Sequence, residues 1–434
     1  MSTRLTNVFF ALATSLLLIG GLAACDSGTD DGNGVSTLSI SGGVTDDAGF
    51  AKTLDNIEGA TVTASELQAN GSLSALGGEA TTDASGKYTL AVETSTSPLI
   101  LRAAKSDTDF ESKVIVEYES GGASSSVSAM PMNLETRAEA DVLVEARSAA
   151  GAEAVTAADV ALFVNTDIAA AIDAGSATAA DVAAVITRGK EAERAHAEED
   201  PEGFSDDQPR RRAEDHRRDS FLELQSQLSA ATTASAQAAA REAFERAYVN
   251  AFAEAEVNAE VQARAGHSRK SAMLEAAVDA GVSTDTQFEL RKRADASLAL
   301  ATSAAIEALF EANSVGQAQI DAVVASGETL FDAVASAGTE AEINAAFGSF
   351  SADVEAALSV ALDVSPTLIT AARAATDAAK VTLETAINAA ADAADIASAY
   401  VTFFGAAETS ATASFAGSAN AAMGGEVLAL IALY

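Results

Sequence analysis

Residues 127–139 read Val-Ser-Ala-Met-Pro-Met-Asn-Leu-Glu-Thr-Arg-Ala-Glu, and the pattern of the whole chain changes within them. Before this stretch, short runs alternate between apolar and polar residues, which is typical of half-buried strands. From Thr136 onward alanine dominates, and alanine has the highest helix propensity. The sequence therefore predicts a multidomain chain, with a small antiparallel β-sandwich over residues 37–134 and a large alanine-rich, all-α helical bundle over residues 135–434.

Short runs with strand character precede this change, and turn residues separate them. The runs are Leu38–Ser41, Ala60–Ala64, Tyr88–Val92, Leu99–Leu101, Val114–Val116 and Val127–Ala129. Between two of them, Asp83-Ala-Ser-Gly86 predicts a turn, because an aspartate side chain accepts local backbone hydrogen bonds and glycine adopts positive φ. This spacing is that of a small sandwich.

Three motifs in this region resemble the carboxypeptidase regulatory-like family, whose fold is a prealbumin-type seven-strand sandwich. They are Ser41-Gly-Gly-Val-Thr-Asp46, Ile57-Glu-Gly-Ala-Thr-Val62 and Thr81-Thr-Asp-Ala-Ser-Gly-Lys-Tyr-Thr-Leu90. The resemblance covers roughly residues 37–105 and implies a non-catalytic module of a secreted protein. It also implies structural roles for Gly59 and Ala60, which would allow close packing, and for Tyr88, which would fill the core.

Signals for helix ends recur through residues 135–434. Threonine with an acidic residue three positions later fits the capping box at Thr136, Thr156, Thr178 and Thr339. Ser365-Pro366 places proline at a first helical position. Glycines that would end helices are Gly151, Gly175, Gly266, Gly281, Gly316 and Gly338. Larger apolar residues at helical spacing predict a packed bundle core, and the apolar stretch 427–434 predicts a docked final helix or, alternatively, a subunit or membrane-surface contact.

The first 25 residues predict a membrane-anchored protein. Arg4 precedes an apolar run that is short for a bilayer span and ends in Leu22-Ala23-Ala24-Cys25. This ending resembles the lipobox of bacterial lipoproteins, which implies cleavage between Ala24 and Cys25 and acylation of Cys25, with palmitate among the acyl groups. We expect residues 1–24 to be a signal peptide and residues 25–36, rich in Gly, Asp and Ser, to be a lipidated flexible tether. No other apolar run is expected to span a membrane.

The residues after Cys25 leave the choice of membrane open. Asp26 resembles an inner-membrane retention signal of some lipoproteins, whereas Asp26, Asp30 and Asp31 together resemble a surface-export signal. The outer membrane or the cell surface is the favoured location, and the inner membrane is the alternative. In either case the expected attachment is membrane lipid bound through acylated Cys25.

The charge of the chain restricts its partners. With 63 acidic and 26 basic residues, the formal net charge is −37. Such a surface repels phosphates, so nucleic acid is excluded as a partner over most of it. The pattern resembles proteins of high-salt habitats, and an ordinary acidic secreted protein is the alternative. Cys25 is the single cysteine, so no disulfide can form within one chain.

No motif for catalysis, metal binding or cofactor binding stands out. The three histidines, His196, His216 and His267, lack the spacing of a metal site, and solvated positions are expected for them. There is no Gly-x-Ser-x-Gly elbow, phosphate-binding loop or dinucleotide fingerprint. We therefore expect no catalytic residue, no metal and no cofactor.

Sixteen of the 26 basic residues lie between Arg188 and Arg293, which sets this region apart. The densest group is Arg210, Arg211, Arg212, Arg217 and Arg218. One interpretation is a solvated helix start with ion pairs four residues apart. The other is a docking patch for an anionic partner, such as a polysaccharide or an acidic protein surface.

Together these features favour a lipid-anchored cell-envelope protein with a non-catalytic binding, scaffolding or assembly role. Two alternatives stay open at this point. One is an accessory lipoprotein of an outer-membrane uptake system, by analogy with similar β-modules. The other is a hydrolase or ligand-binding protein on a helical fold, which would require a deep pocket with convergent polar groups.

Overall fold

The computed structural model describes residues 37–45, 56–119, 124–149, 155–200, 203, 207–255 and 258–434. The predicted signal peptide, Cys25 and the tether lie outside the described residues, as does Gly151.

The described part of the chain begins with eight strands. They are β1 Thr37–Gly43, β2 Thr61–Leu67, β3 Leu73–Ala75, β4 Ala80–Thr81, β5 Lys87–Glu93, β6 Leu99–Ala104, β7 Glu111–Val116 and β8 Ser124–Ser128. One sheet has the order β5-β1-β8, and the other has the order β3-β2-β6-β7 with β4 also paired to β2. All described strand pairs are antiparallel except β1 and β8, which run parallel. The predicted β-sandwich is confirmed, and the parallel pair and the short strands β3 and β4 are additions.

Burial follows the sequence pattern in this sandwich. Tyr88, Leu90 and Val92 of β5 are buried while their neighbours are exposed, as a strand with one wet face requires. The continuous apolar runs in β6 and β7 are buried on both faces, since helix α1 (Leu134–Ser148) packs against β7. Lys113 of β7 reaches across to Asp141 of α1, with Nζ 2.7 Å from Oδ1.

Gly59 of the sandwich has a role that differs from the expectation. Gly59 has φ +76° and open space where a Cβ would stand, so it supplies a turn conformation and close packing is not its role. Close packing is instead found at Gly42, where a Cβ would lie 2.5 Å from the Tyr88 hydroxyl. The predicted turn at Asp83 is confirmed, because its Oδ1 accepts hydrogen bonds from the Ser85 and Lys87 amides and Gly86 has φ +71°.

Fourteen helices follow among the described residues. Besides α1 they are α2 Ala157–Phe163, α3 Thr166–Asp173, α4 Ala179–Glu199, α5 Asp207–Ala230, α6 Ala234–Glu254, α7 Ala259–Asp279, α8 Thr284–Ala312, α9 Gln317–Ser336, α10 Glu340–Leu362, α11 Pro366–Ala374, α12 Asp377–Ile387, α13 Ala393–Ser414 and α14 Ala421–Ile431. The predicted large helical bundle is thereby confirmed.

Most of the predicted helix starts are confirmed. Thr156, Thr178 and Thr339 form complete capping boxes. The prediction for Thr136 is wrong by three residues, because Asn133 is the N-cap of α1 and the Thr136 side chain closes its capping box. Pro366 begins α11, as expected.

The predicted helix-ending glycines have mixed outcomes. Gly175 and Gly281 follow α3 and α7 with positive φ, as helix-ending glycines do. Gly338 follows the end of α9. Gly266 lies inside α7, so its prediction is wrong, and Gly316 is the N-cap of α9.

The strands and helices share their packing. One continuous apolar cluster includes the inward side chains of the sandwich and residues of α1 through α8. A second cluster is centred on α8, α9, α10 and α14, and a third on α12 and α13. The change from strand to helix near residue 134 therefore occurs without a break in the core.

The C-terminal segment docks into this core. Val427 through Ala432 are fully buried, which confirms the prediction of a docked final helix. Helix α10 differs from expectation, because it is the one described helix whose length and composition would allow a membrane crossing. Its Phe347, Phe350 and Leu358 are buried in the second cluster, so core packing accounts for its apolar character.

Candidate functional site

Charged residues of the 188–293 region turn inward and meet between α2, α4 and α5. We call Asp159, Lys190, Glu193, Glu214 and Arg217 the ionic core. The Lys190 Nζ lies 3.0 Å from Asp159 Oδ1 and 2.7 Å from Glu214 Oε1. The Arg217 Nη2 lies 2.6 Å from Glu193 Oε1. The Arg217 side chain is 1% exposed and that of Lys190 is 8% exposed, so both cations are removed from water.

Asp159 joins local structure to the ionic core. Its Oδ2 accepts a hydrogen bond from the Thr156 amide at 2.8 Å and so completes the capping box of α2. Its Oδ1 accepts from Lys190 and from the Tyr248 hydroxyl. The residue that closes the capping box of α2 is thus the same residue that binds α4 and α6 to it.

Two rings and a further arginine enclose the ionic core. The Arg217 guanidinium carbon lies 4.2 Å from the centre of the Tyr248 ring and 4.5 Å from that of Phe252. Arg269 of α7 places Nη1 3.5 Å from Glu193 Oε2 and donates from Nη2 to Ser297 Oγ of α8 at 2.7 Å. The network therefore extends across six helices, α2 and α4 to α8, and the rings exclude water from its centre.

Asp159, Glu193 and Lys190 of the ionic core have pKa values shifted away from neutrality. Burial by itself would raise the pKa of Asp159, but Lys190 and Arg217 hold it below its ordinary value. Burial would likewise raise the pKa of Glu193, but Arg217 and Arg269 lower it well below its usual range. Burial and Arg217 would lower the pKa of Lys190, but Asp159 and Glu214 hold it above its ordinary value. A general acid or base works best with a pKa near the working pH, and these shifts lead away from it.

A serine, a histidine and an aspartate form a row of contacts beside the ionic core. Ser268 Oγ lies 2.8 Å from His196 Nδ1, and His196 Nε2 lies 3.5 Å from Asp200 Oδ2. Arg264 also approaches Asp200, with Nη1 3.5 Å from Oδ2. The order resembles that of a hydrolytic triad. Ser268 is fully buried where α4 packs on α7, so its oxygen faces helix surfaces and is closed to a substrate.

His267 occupies a second buried position. Its ring is stacked on Tyr400, and Phe404 and Tyr434 also contact it. The Tyr434 hydroxyl lies 3.3 Å from His267 Nε2 and 2.8 Å from Thr302 Oγ1. Burial, with Lys270 and His196 nearby, holds the pKa of His267 well below its ordinary value.

The expectation of solvated histidines is therefore wrong for two of the three. His196 and His267 are buried, and burial lowers the pKa of His196 as well. His216 is half-buried. Among the residues that the structure describes, no group of three or more His, Cys, Asp or Glu side chains is arranged to hold a metal.

A further buried ion pair joins α6 to α1. Arg241 lies 2.7 Å from Glu135 and 2.8 Å from Glu139. Burial, together with the neighbouring Glu135 charge, raises the pKa of Glu139 to about 7 even though Arg241 and Arg293 oppose the shift.

The structure divides the predicted arginine patch. Arg217 belongs to the ionic core, so its assignment to a surface patch is wrong. Arg218 bonds Glu117 and the Tyr118 carbonyl. Arg212 donates to the Ala255 carbonyl at 3.1 Å, and Arg210 lies 3.6 Å from Glu198. The anion-binding patch stays a prediction for the other four residues, Arg210, Arg211, Arg212 and Arg218.

Four grooves in the described part of the chain lie away from the ionic core and the histidines. A groove of about 710 Å³ runs between β8 and α5, and one of about 520 Å³ runs between α9 and α10. Smaller ones of about 400 Å³ and 200 Å³ lie between α12 and α13 and beside α8. The α9–α10 groove is open and lined mainly by alanine. None of these four grooves is lined by a residue of the ionic core or by a histidine.

The charge pattern contained a signal for the buried network that the sequence analysis did not use. Lys190, Glu193 and Ala197 follow one face of α4 at helical spacing, together with apolar Ile186. A charged residue within an apolar stripe indicates a buried pair. Its partners stood on other helices, where spacing along one segment could not reveal them.

Comparisons with family models, with curated proteins and with solved structures gave no match to this chain.

Proposed function

We propose that the chain is a lipid-anchored cell-envelope protein whose folded part has a non-catalytic binding, scaffolding or assembly role. The observation that carries this proposal is the separation of the ionic core and the histidines from the four described grooves. The buried acids, bases and histidines are paired with one another or enclosed by rings. The three larger grooves are lined largely by alanine, serine, threonine and carboxylates, and the one buried carboxylate among them, Glu117, is paired with Arg218.

The anchor rests on the sequence. Leu22-Ala23-Ala24-Cys25 resembles a lipobox, and residues 26–36 form a polar run between Cys25 and β1. The resemblance of residues 37–105 to the carboxypeptidase regulatory-like family also supports a non-catalytic module near the membrane. Outer membrane or cell surface is the location we propose, with membrane lipid as the first partner and a protein or polysaccharide as the second.

Metabolic labelling tests the anchor directly. When the full chain is expressed in cells grown with radioactive palmitate, it is expected to carry the label and to sediment with the membranes. Cys25→Ser should abolish labelling and either release the protein or leave it unprocessed, because the hydroxyl does not accept the lipid. Ser27→Ala, two residues away, is the matched control and should behave like the natural chain. A Cys25→Ser chain that is processed and stays with the membranes would contradict the proposal.

A hydrolase is the second candidate, because Ser268, His196 and Asp200 stand in triad order. A fluorophosphonate probe, which labels activated serines, distinguishes the two candidates. We expect Ser268→Ala to leave the labelling unchanged, since Ser268 is closed to solvent and should not react with the probe. Labelling that disappears in Ser268→Ala would favour the hydrolase.

A further inference from the structure

The largest of the four grooves has one wall of strand and one wall of helix. Three consecutive residues of β8, Ser126, Val127 and Ser128, line one side. Successive side chains of a strand point to opposite faces of the sheet. A groove on one face of the sheet would contact only every second residue. A groove that contacts all three therefore runs along the edge of β8.

The edge in question is the unpaired one. β8 pairs with β1 on its other side, and the Ala129 amide donates to the Ser41 carbonyl at 2.8 Å. Backbone groups alternate in direction along a paired strand, so Ser126 and Ser128 direct their N–H and C=O away from β1. Among the described residues no strand pairs with this side of β8.

The helix wall has the length of a short extended segment. Asp219, Leu222, Glu223, Ser226 and Ser229 follow one face of α5 and line the groove. Ten residues of helix rise about 15 Å. An extended chain of about five residues covers the same distance.

The ends of the walls are held in place. Gln225 of α5 accepts from the Glu117 amide and donates to the Glu117 carbonyl, both at 3.1 Å. This side-chain amide pairs with the backbone beyond β7 as a neighbouring strand would. Arg218 adds a hydrogen bond to the Tyr118 carbonyl at 2.9 Å. The helix is thus fixed at a set distance from the sandwich.

The groove carries negative charge. Glu117, Glu119, Asp219 and Glu223 line it, whereas none of its lining residues is basic. Arg218 pairs with Glu117, with Nε 3.1 Å from Oε2, and so compensates one of the four carboxylates. Half-buried Val127 and Leu222 add apolar surface between the charges.

We propose that the β8–α5 groove binds an extended, basic peptide segment of a partner protein by strand addition to β8. Main-chain hydrogen bonds to Ser126 and Ser128 provide affinity, and the carboxylates select basic side chains. The chain's own segment before Thr37 is a poorer occupant, because Asp30 and Asp31 would meet the groove carboxylates. This inference rests on the proposed binding role and is independent of the lipid anchor.

Fluorescence anisotropy with a defined probe tests the proposal. The probe is a labelled, acetylated and amidated hexapeptide of alternating lysine and valine, added to the purified full chain in detergent. We expect saturable binding that weakens with salt. A glutamate–valine hexapeptide should bind at least tenfold more weakly. A lysine–valine peptide with N-methylated alternate amides should lose a similar amount, because it keeps the charge and loses the strand hydrogen bonds.

Variants of the two walls separate strand addition from simple charge attraction. Ser128→Pro removes one outward N–H and is tolerated at a sheet edge, whereas Ser128→Ala keeps that N–H. The proline variant should bind at least fivefold more weakly and the alanine variant should bind normally. The double change Asp219→Asn and Glu223→Gln should also weaken binding at least fivefold, while Asp353→Asn in the α9–α10 groove should not.

Two results would overturn the inference. One is equal affinity for the basic, acidic and N-methylated peptides. The other is normal binding by the Asp219→Asn, Glu223→Gln variant, which alters only exposed carboxylates and so serves even if the proline variant misfolds. Either result leaves the palmitate-labelling test of the anchor unaffected, so the two failures can be distinguished.

Discussion

The sandwich and the helices around the ionic core are stabilised in different ways. Inward side chains of the sandwich are apolar, such as Leu38, Ile40 and Leu90, and its Arg102–Glu111 pair is at the solvent side. The helices bury full ion pairs, and alanine explains why. Alanine lets helices approach but contributes little apolar area per residue. Long charged side chains that cross between α2, α4 and α5 supply contacts that alanine cannot.

This difference changes how each region should respond to substitution. A buried ion pair adds little net stability, because its members lose hydration, but removal of one member leaves an unpaired buried charge. When an apolar core residue is truncated, the cost is the lost transfer free energy of the removed atoms plus the free energy of the cavity that remains. Single substitutions in the two regions therefore test whether they are stabilised in different ways.

Arg217→Met is expected to have the largest effect. It removes the nearer of the two cations that pair with Glu193, the other being Arg269, and should lower the free energy of unfolding by about 3–5 kcal/mol. Urea denaturation followed by circular dichroism measures this loss. Arg194→Met is the matched control on α4, since its pair with Glu198 is about half exposed and should contribute about 0–1 kcal/mol. Equal losses for the two variants would remove the distinction.

Leu101→Ala probes the sandwich. Leu101 is fully buried in β6, so its truncation should cost about 2–5 kcal/mol. The same urea denaturation applies, at low and at high sodium chloride. The loss should be the same at both salt concentrations, because no charge is involved. A loss that depends strongly on salt would show that the sandwich also relies on charge pairing.

How much of this contrast could be predicted from the sequence differs between its two sides. Period-two alternation in Lys87–Glu93 reports burial on one face within a single segment, so the strand and its core residues were predicted correctly. The ionic core joins residues as far apart as Asp159 and Arg217. Lys190 and Glu193 lie on the apolar face of α4, which hinted at burial, but their partners lie on other helices, so only the packing of the helices shows how these charges are paired.

Helix starts and glycines illustrate the same limit. Thr156 and Thr178 were predicted correctly because a capping box is contained in four residues. Gly266 was predicted to end a helix, but a Cβ there would lie 3.1 Å from Leu298 Cδ1 of a neighbouring helix. Its role depends on α8, which local sequence does not describe. The β8–α5 groove was missed for the same reason.

Glu139→Gln tests the pH response of the helical region. Burial raises the pKa of Glu139 in the folded protein to about 7, above its unfolded value. The unfolded chain therefore loses this proton first, and stability should fall as pH rises from about 4.5 to 7. Glutamine cannot ionise, so the variant should show a fall smaller by roughly 1–3 kcal/mol. Urea denaturation at pH 5 and pH 7 measures it, with exposed Glu145→Gln on the same helix as the control. An unchanged pH profile in Glu139→Gln would assign the response to other groups.

Gly348→Ala should have the smallest effect and the opposite sign. Gly348 lies within α10 with nothing near the position of a Cβ, so alanine should stabilise the protein by about 0.5–1 kcal/mol. Gly266→Ala within α7 is the matched comparison, because the contact with Leu298 should cancel the gain. Thermal melting of both variants provides the measurement. A larger gain from Gly266→Ala would mean that α7 and α8 are packed less closely than the structure indicates.

The coupling between Arg217 and Glu193 tests most directly whether the inward charges form a structural network. A double-mutant cycle with Arg217→Met and Glu193→Leu compares each single loss of unfolding free energy with that of the double variant. We predict that the double variant loses less unfolding free energy than the sum of the two single losses, by at least about 2 kcal/mol. The reason is that the double variant removes both charges of this pair, whereas each single variant leaves one of them without the other. Losses that add to within about 0.5 kcal/mol would contradict the account.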